Sequence, residues 1–350
     1  MKKKDNYLPL AAAVELENAY VPTAEDFTFR ETKDVTIDKN FSSQGFWKGV
    51  AIRFFRKKRS VIGLAIILII MLLSIFGPMM NSYGYKEIVS VTVEGKEITA
   101  GRMSPHIPFL HKLFTGEEYD DLFAGETFLF GTDDLGRDLW TRTWQGARVS
   151  LIIAFVTIVI DMIIGMSFGL ISGYFGGITD GIMQRFVEIA NSVPRLVIVS
   201  VLAIVMPKGM GLVIVALLLT EWIGMSKIAR AEMLKVKELE YILASRTLGA
   251  KSFSIIFRDV LPNSIGPIIT QVMFSIPTAI FTEAFLSFVG VGIVLPQCSI
   301  GSLIEDGFNN ITTLPYQILP PIIVLALLML GFNFIGDGIR EALAPKLKDM

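Results

Sequence analysis

The sequence predicts an all-α integral membrane protein with six transmembrane helices, and three observations predict it. The 350 residues are 52% hydrophobic and 19% charged, against about 25% charge in ordinary soluble domains, and the mean hydropathy is +0.56. The apolar residues gather into runs long enough to cross a bilayer. Lysines and arginines cluster beside those runs, so the formal net charge of −1 hides basic segments. That balance predicts membrane lipid as a partner and no nucleic acid.

Residues 1–57 form a polar tail of mixed charge without the early apolar region of a cleavable signal. Phe27, Phe29, Phe41, Phe46 and Trp47 in it lie against a membrane surface, against a partner, or in solvent. The first span is 58–80. Its stretch SVIGLAIILIIMLLSIFGPMM is 21 residues without a charge, enough to cross roughly 30 Å of hydrocarbon. RFFRKKR, ending at Arg59, stands just before it and places that side in the cytoplasm by the positive-inside rule. Segment 81–148 is then a long extracytoplasmic loop. Within it IVSVTVEGKEITAG alternates about Glu94-Gly95 and predicts a β-hairpin. His106 and His111 miss the i, i+4 spacing of a helical metal site and read as surface histidines.

A core of 149–337 supplies five more spans, at about 149–175, 182–206, 209–228, 264–289 and 318–335. Pro194 and Arg195 break the third, and Pro277 should kink the fifth. Six crossings return 338–350 to the cytoplasm, so both termini lie there. The charges agree: residues 226–262 hold seven Lys/Arg and residues 290–317 hold none. The single cysteine, Cys298, excludes a disulfide framework and reads as a buried or interfacial thiol. Ionisable groups at a helix centre cost about 2.5–3.5 kcal/mol on insertion scales. Asp161, Glu221 and Glu283 therefore line a translocation path, make interhelical hydrogen bonds, or snorkel.

Between the fourth and fifth spans stands EYILASRTLGAKSFSIIFRDVLPN, too polar to cross and patterned as two short helices. Phe253, Ile256, Phe257 and Val260 share one helical face. Leu239, Ile242 and Leu243 form an apolar patch in the first half, with Glu240 and Arg246 on other sides. Gly249 ends the first helix at positive φ, and Pro262 ends the second. Periodicity alone fits an interfacial helix or a hairpin held by a partner. In GTDDLGRD, Thr132 and Asp133 suit turn and cap positions and two glycines permit a tight backbone. Arg137 can pair with Asp133, Asp134 or Asp138.

LASRTLG followed by IIFRDVLPN resembles the cytoplasmic loop of ABC importer permeases, where E-A-A, three residues, G, nine residues, I, one residue and L-P recur. Leu243, Ala244 and Ser245 stand at E-A-A, Gly249 at the glycine and Leu261-Pro262 at the end. Leu243 replaces the glutamate and Asp259 the isoleucine. FGTDDLGRDLWTRTWQGARVSL resembles the G-T-D-x-x-G-R-D and G-A-R-x-S-L signature of the second, C-type permease of oligopeptide and dipeptide importers. SGYFGGITDGIMQRFVEI and EAFLSFVGVGI, the latter containing Glu283, resemble later landmarks. The series runs from about residue 60 onward and leaves the tail and 83–127 uncovered.

The resemblance implies a type I ABC importer permease fold with a coupling hairpin at 240–262. Glu240, Leu243, Ala244, Ser245, Arg246, Gly249, Ala250, Phe253 and Pro262 would meet an ATPase. Gly131, Thr132, Asp133, Asp134, Gly136, Arg137 and Asp138 would form a rigid outer collar for a binding protein or sister subunit. It implies a non-catalytic subunit in a bacterial cytoplasmic membrane, passing peptides, oligopeptides first and dipeptides next. The implied partners are a homologous permease, two ABC ATPases carrying ATP and Mg, and an external substrate-binding protein. No cofactor or metal is expected in this chain, and G-x-x-x-x-G-K-[ST] does not occur in it, so it has no phosphate loop. Three alternatives stay open: an ion-driven secondary transporter, a permease for a nickel chelate or other small solute, and a membrane scaffold. The first wants more paired intramembrane charges, and the last leaves the hairpin without a purpose.

The topology is testable in a Cys298→Ser background. Single cysteines at Lys251 and Glu117 should react with an impermeant thiol reagent from opposite faces; labelling of both from outside intact cells would refute six spans.

Overall fold

Prolines, glycines and one capping aspartate set the helix boundaries. The computed structural model describes residues 46–93, 96–108, 122–123 and 125–343. The tail through residue 45 with Phe27, Phe29 and Phe41, the Glu94-Gly95 turn, His111, Glu117 and residues 344–350 lie outside the described residues. Helix α1 (Phe46–Phe55) precedes α2 (Lys58–Phe76), which runs on as a 3-10 turn over Gly77–Met79. Strands β1 (Ser90–Val93) and β2 (Lys96–Thr99) pair antiparallel with Val93 opposite Lys96, as the alternation predicts.

Helix α3 (Leu139–Ile160) starts ten residues before the expected 149. Asp138 is the reason: its carboxylate accepts the Thr141 amide at 2.8 Å and caps the helix. The loop therefore ends at Asp138. Helix α3 continues through a π-helical segment, Asp161–Met166, into α4 (Ser167–Phe175). Helix α5 (Gly177–Ser192) and helix α6 (Arg195–Val205) meet at a 78° bend. Val193 before Pro194 is held extended at ψ 121°, which stops α5. The expected third span is thus two helices, and the apolar α6 of 11 residues reaches only about half the hydrocarbon thickness.

Helix α7 (Met210–Thr220) passes at Glu221 into α8 (Trp222–Val236). Helix α9 (Glu240–Thr247), helix α10 (Ser252–Ser254), a π segment Ile255–Val260 and α11 (Leu261–Asn263) make the hairpin. Helix α12 (Ile265–Phe288) stays one helix around Pro277. Helix α13 (Ile300–Asn309) is capped by Ser299, and α14 (Leu319–Leu343) closes the described chain. Among the described residues five helical stretches are long and apolar enough to cross a membrane, or six if the bent α5–α6 pair counts as one.

Two clusters organise the packing. Ile67 and Ile70 of α2, Ala147 and Ala154 of α3, Ile280 of α12 and Leu328 of α14 share one core. The second joins α4 to α8, where Gly165, Gly169 and Gly173 form a stripe of four-residue spacing. A Cβ on Gly165 would stand 2.5 Å from the Trp222 carbonyl, one on Gly169 would strike the Ser226 carbonyl, and one on Gly173 would stand 2.8 Å from Met233 Cβ. Small residues let helix backbones approach closely inside a bilayer. His106, expected at the surface, is buried at 4% exposure. Its backbone pairs with Phe128 in both directions at 2.8 and 2.7 Å, which draws its ring against Phe128.

Gly169→Leu should force α4 from α8 and destabilise the chain by about 3 kcal/mol, the upper end of ordinary overpacking costs. Gly181→Leu, inside α5 with open space around it, should leave stability unchanged or raise it by up to about 1 kcal/mol. Unfolding midpoints of the two variants in detergent check the contrast.

Candidate functional site

The hairpin is a rigid cap with one buried side. Helix α9 ends in a Schellman turn: the Gly249 amide donates to the Arg246 carbonyl at 3.0 Å and the Ala250 amide to the Ser245 carbonyl at 3.1 Å. Gly249 stands at φ +82°, as expected, and a Cβ there would touch nothing in this chain within 4 Å. Ile242, Ile255, Ile256 and Val260 are fully buried against Leu170, Ala229 and Met233 of α4 and α8. The buried face of the second half is therefore Ile255, Ile256 and Val260 with Phe257 partly buried against them; of the expected Phe253, Ile256, Phe257 and Val260, Phe253 falls outside it and Ile255 joins it. The π winding adds a residue to the turn, so positions five apart come into line.

Phe253 is left 65% exposed, its ring stacked on Phe257 at 5.3 Å. Glu240, Leu243, Ala244, Arg246, Gly249, Ala250 and Pro262 are also exposed, and Ser245 is half-buried. Leu248 is 88% exposed. The free side is thus markedly apolar for a segment outside the long hydrophobic spans. Arg246 lies over the Tyr174 ring at 5.3 Å. Beside the hairpin the Arg230 guanidinium grips Asp180 through two bonds of 2.7 and 2.5 Å, and Lys237 donates to the Gly173 carbonyl at 3.0 Å. Asp180 also accepts from the Ser172 hydroxyl. These contacts explain SGYFGGITDGIMQRF as a fastener between α4, α5 and α8.

At the opposite end Gly131, Thr132, Asp133, Asp134, Gly136, Arg137 and Asp138 form one knot. Asp133 accepts from the Leu135 and Arg137 amides and, at 2.6 Å, from Arg137 Nε. Asp133, of the three acids within reach, is the partner of Arg137. The Thr132 hydroxyl donates to the Ala100 carbonyl and accepts the Met103 amide. The Thr132 carbonyl accepts from Tyr316 and Gln317 at 3.0 and 3.2 Å, binding the loop to the start of the last span. Gly131 and Gly136 take φ of +80° and +86°.

Arg142, whose position in the sequence carries no sign of a role, is fully buried beneath the knot. It stands 3.5 Å from Asp133 and 3.8 Å from Asp306 and donates to the Tyr85 carbonyl. Burial pushes the carboxyls of Asp138 and Asp306 above the usual range, opposed at Asp138 by the Thr141 amide and hydroxyl and at Asp306 by Arg142. Burial also pushes up the Cys298 thiol.

The three intramembrane acids divide. Glu283 is fully buried, accepting from the Ser150 hydroxyl at 2.6 Å and the Ser287 hydroxyl at 2.9 Å. Of its readings, the interhelical hydrogen bond is the one the geometry supports. In G-A-R-x-S-L, Gly146 packs on Ser299 and Ile300, Arg148 caps α2 through the Ser74 and Ile75 carbonyls at 2.8 Å, and Ser150 meets Glu283. Asp161 and Glu221 instead share a polar cluster. Glu221 binds Arg195 at 2.5 Å, Arg195 donates to the Thr282 hydroxyl at 3.2 Å, and Asp161 faces Glu221 and Ser275. By sequence Arg195 marks only a break in the third span. A guanidinium beginning an apolar helix needs a carboxylate, but which of the three it meets is not written in their spacing.

Residues 165–349 match the model of the binding-protein-dependent transport system inner membrane components, and residues 45–93 that of the N-terminal transmembrane domain of oligopeptide transport permease C. The chain is similar to the oligopeptide transport system permease protein OppC of Bacillus subtilis, 40% identical over 87% of this chain and 92% of that one. It is 36% identical to the dipeptide transport system permease protein DppC of the same organism, over 91% and 90% of the two chains. With OppC of Escherichia coli it shares 34% identity over 88% and 96%.

Asp133→Ala would leave the buried Arg137 and Arg142 without their shared carboxylate and should cost about 3–5 kcal/mol. Asp134→Ala removes a partner of the exposed Arg102 and should cost at most about 1 kcal/mol. Thermal unfolding of the two variants measures the difference.

Proposed function

The chain belongs to the binding-protein-dependent transport system inner membrane components and is an ABC importer permease, and we propose that its cargo is peptide, oligopeptides before dipeptides. The relatives that match nearly end to end are named for those two cargoes. We place two ABC ATPases, carrying ATP and Mg, on the hairpin side, taken as cytoplasmic with both termini. A homologous permease completes the pathway, and an external substrate-binding protein delivers the peptide to the collar.

One observation carries this reading. The hairpin buries Ile242, Ile255, Ile256 and Val260 against α4 and α8 while it exposes Leu243, Leu248 and Phe253. Its underside is bolted to the spans and its apolar top is left for another protein. An ATPase that grips the top and closes on ATP would move the hairpin as a rigid body, and α8 and α12 with it. The Asp161, Glu221 and Arg195 cluster is then the candidate lining of the path, placed where α6, α8 and α12 converge. Glu283 serves as a fastener beside it. The collar's internal bonds suit a docking rim that must hold its shape without its partner.

Gly249→Leu tests the coupling. It adds a side chain at positive φ, costing roughly 1 kcal/mol or more, and meets no atom of this chain within 4 Å. The spans should still insert, while ATPase docking weakens or hydrolysis uncouples from uptake. Leu243→Glu should be far milder. In reconstituted vesicles the assembled complex should hydrolyse ATP under stimulation by loaded binding protein, and the isolated chain should not. Full uptake and normal assembly with Gly249→Leu would reduce the hairpin to an interfacial anchor.

A further inference from the structure

Where α2 begins, the chain builds a basic pocket that the transport reading does not use. It measures about 360 Å3 and is lined by residues 57–60 at the start of α2 and by Phe334, Asp337 and Glu341 of α14. The two helices approach closely here, since a Cβ on Gly338 would run into Ser60. Lys57 pairs with Glu341. Lys58 and Arg59 in the lining and Arg56 beside it are exposed, and none has an ion-pair partner among the described residues. Asp337 is the remaining acid in the lining. Four cations thus gather against two carboxylates at the point where the chain enters hydrocarbon.

The surroundings of the pocket are apolar. Val61 and Ile62, next on α2, are 38% and 51% exposed. Helix α1 buries Val50 and exposes Ile52 and Phe55 at 48% and 60%. It is held in place by Arg53, whose Nε donates to the Ala342 carbonyl at the end of α14 at 2.8 Å. An amphipathic helix of aromatic and basic residues lies in a membrane interface, and four or more cations beside a transmembrane helix attract anionic headgroups.

We infer that this pocket seats the headgroup of an anionic phospholipid. The phosphodiester lies among Lys57, Lys58 and Arg59, and the acyl chains run along Val61 and Ile62. A free phosphate would satisfy the cations and leave the apolar rim unused; a lipid uses both. The inference takes from the transport reading only the assignment to the cytoplasmic leaflet.

The test is native mass spectrometry of the full chain extracted from vesicles of phosphatidylglycerol and phosphatidylcholine in equal parts. Lys58→Gln with Arg59→Gln should lower retained phosphatidylglycerol roughly tenfold or more and leave phosphatidylcholine unchanged. Glu341→Gln removes an acid and releases Lys57, so it should raise retention, a gain that misfolding cannot produce. Gly249→Leu should retain the lipid in full, which keeps this measurement separate from coupling. Equal phosphatidylglycerol retention by parent and both charge variants would overturn the inference. So would its displacement by inorganic phosphate, or replacement of the lipid by a bound protein.

Discussion

The close contact of α4 with α8 is the constraint on which the rest depends. Lipid tails do not drive two apolar helices together, so their association rests on how closely the backbones can approach. Gly165, Gly169 and Gly173 remove the side chains that would hold them apart. That approach brings Leu170 beside Ala229 and Met233 and forms the floor on which Ile242, Ile255, Ile256 and Val260 sit. A hairpin on a looser floor could be gripped by a partner and still pass no displacement to the spans.

Charges serve two different ends. In the collar, and between α5 and α8, they are fasteners: Asp133 collects two guanidinium groups and Asp180 takes Arg230 in a bidentate grip. The buried collar charges are costly to strip of their partners, so those contacts fix geometry more surely than they add stability. The Arg195 and Glu221 pair is different. Its arginine is 45% exposed at the side chain and stands at the bend between α5 and α6. It joins three elements at the one place where the third crossing is broken, and there an exchange of partners costs less than in the sealed collar.

The two π segments among the described residues lie at the polar cluster and in the hairpin. Asp161–Met166 carries Asp161 into the polar cluster and directs Gly165 onto α8. Ile255–Val260 turns three apolar side chains downward and leaves Phe253 facing out. One added residue per turn changes which side chains share a face. The ordinary helical period places Phe253 with the buried set and leaves Ile255 out of it, and that is where the expectation and the structure part.

Crossing regions, basic flanks, the β-hairpin and the turn at Gly249 were legible because each depends on local properties: run length, charge beside the run, alternation, and the one residue that takes positive φ cheaply. The LASRTLG and GTDDLGRD motifs were legible as patterns, and Asp133 with Arg137 was among the pairs open to inference. Partner choice was not legible. Ser150 meets Glu283 across 133 positions, Arg230 meets Asp180 across 50 and Arg142 meets Asp306 across 164, and no local period records such distances. Asp138 showed as a member of its motif, but its cap on α3 depends on how the loop folds before it. The sequence by itself determined which segments are long and apolar enough to cross a membrane and which residue types must find a partner. Only the tertiary structure decided which partner each found, because a buried charge or hydroxyl is satisfied by whatever the packing of distant helices brings within about 3 Å.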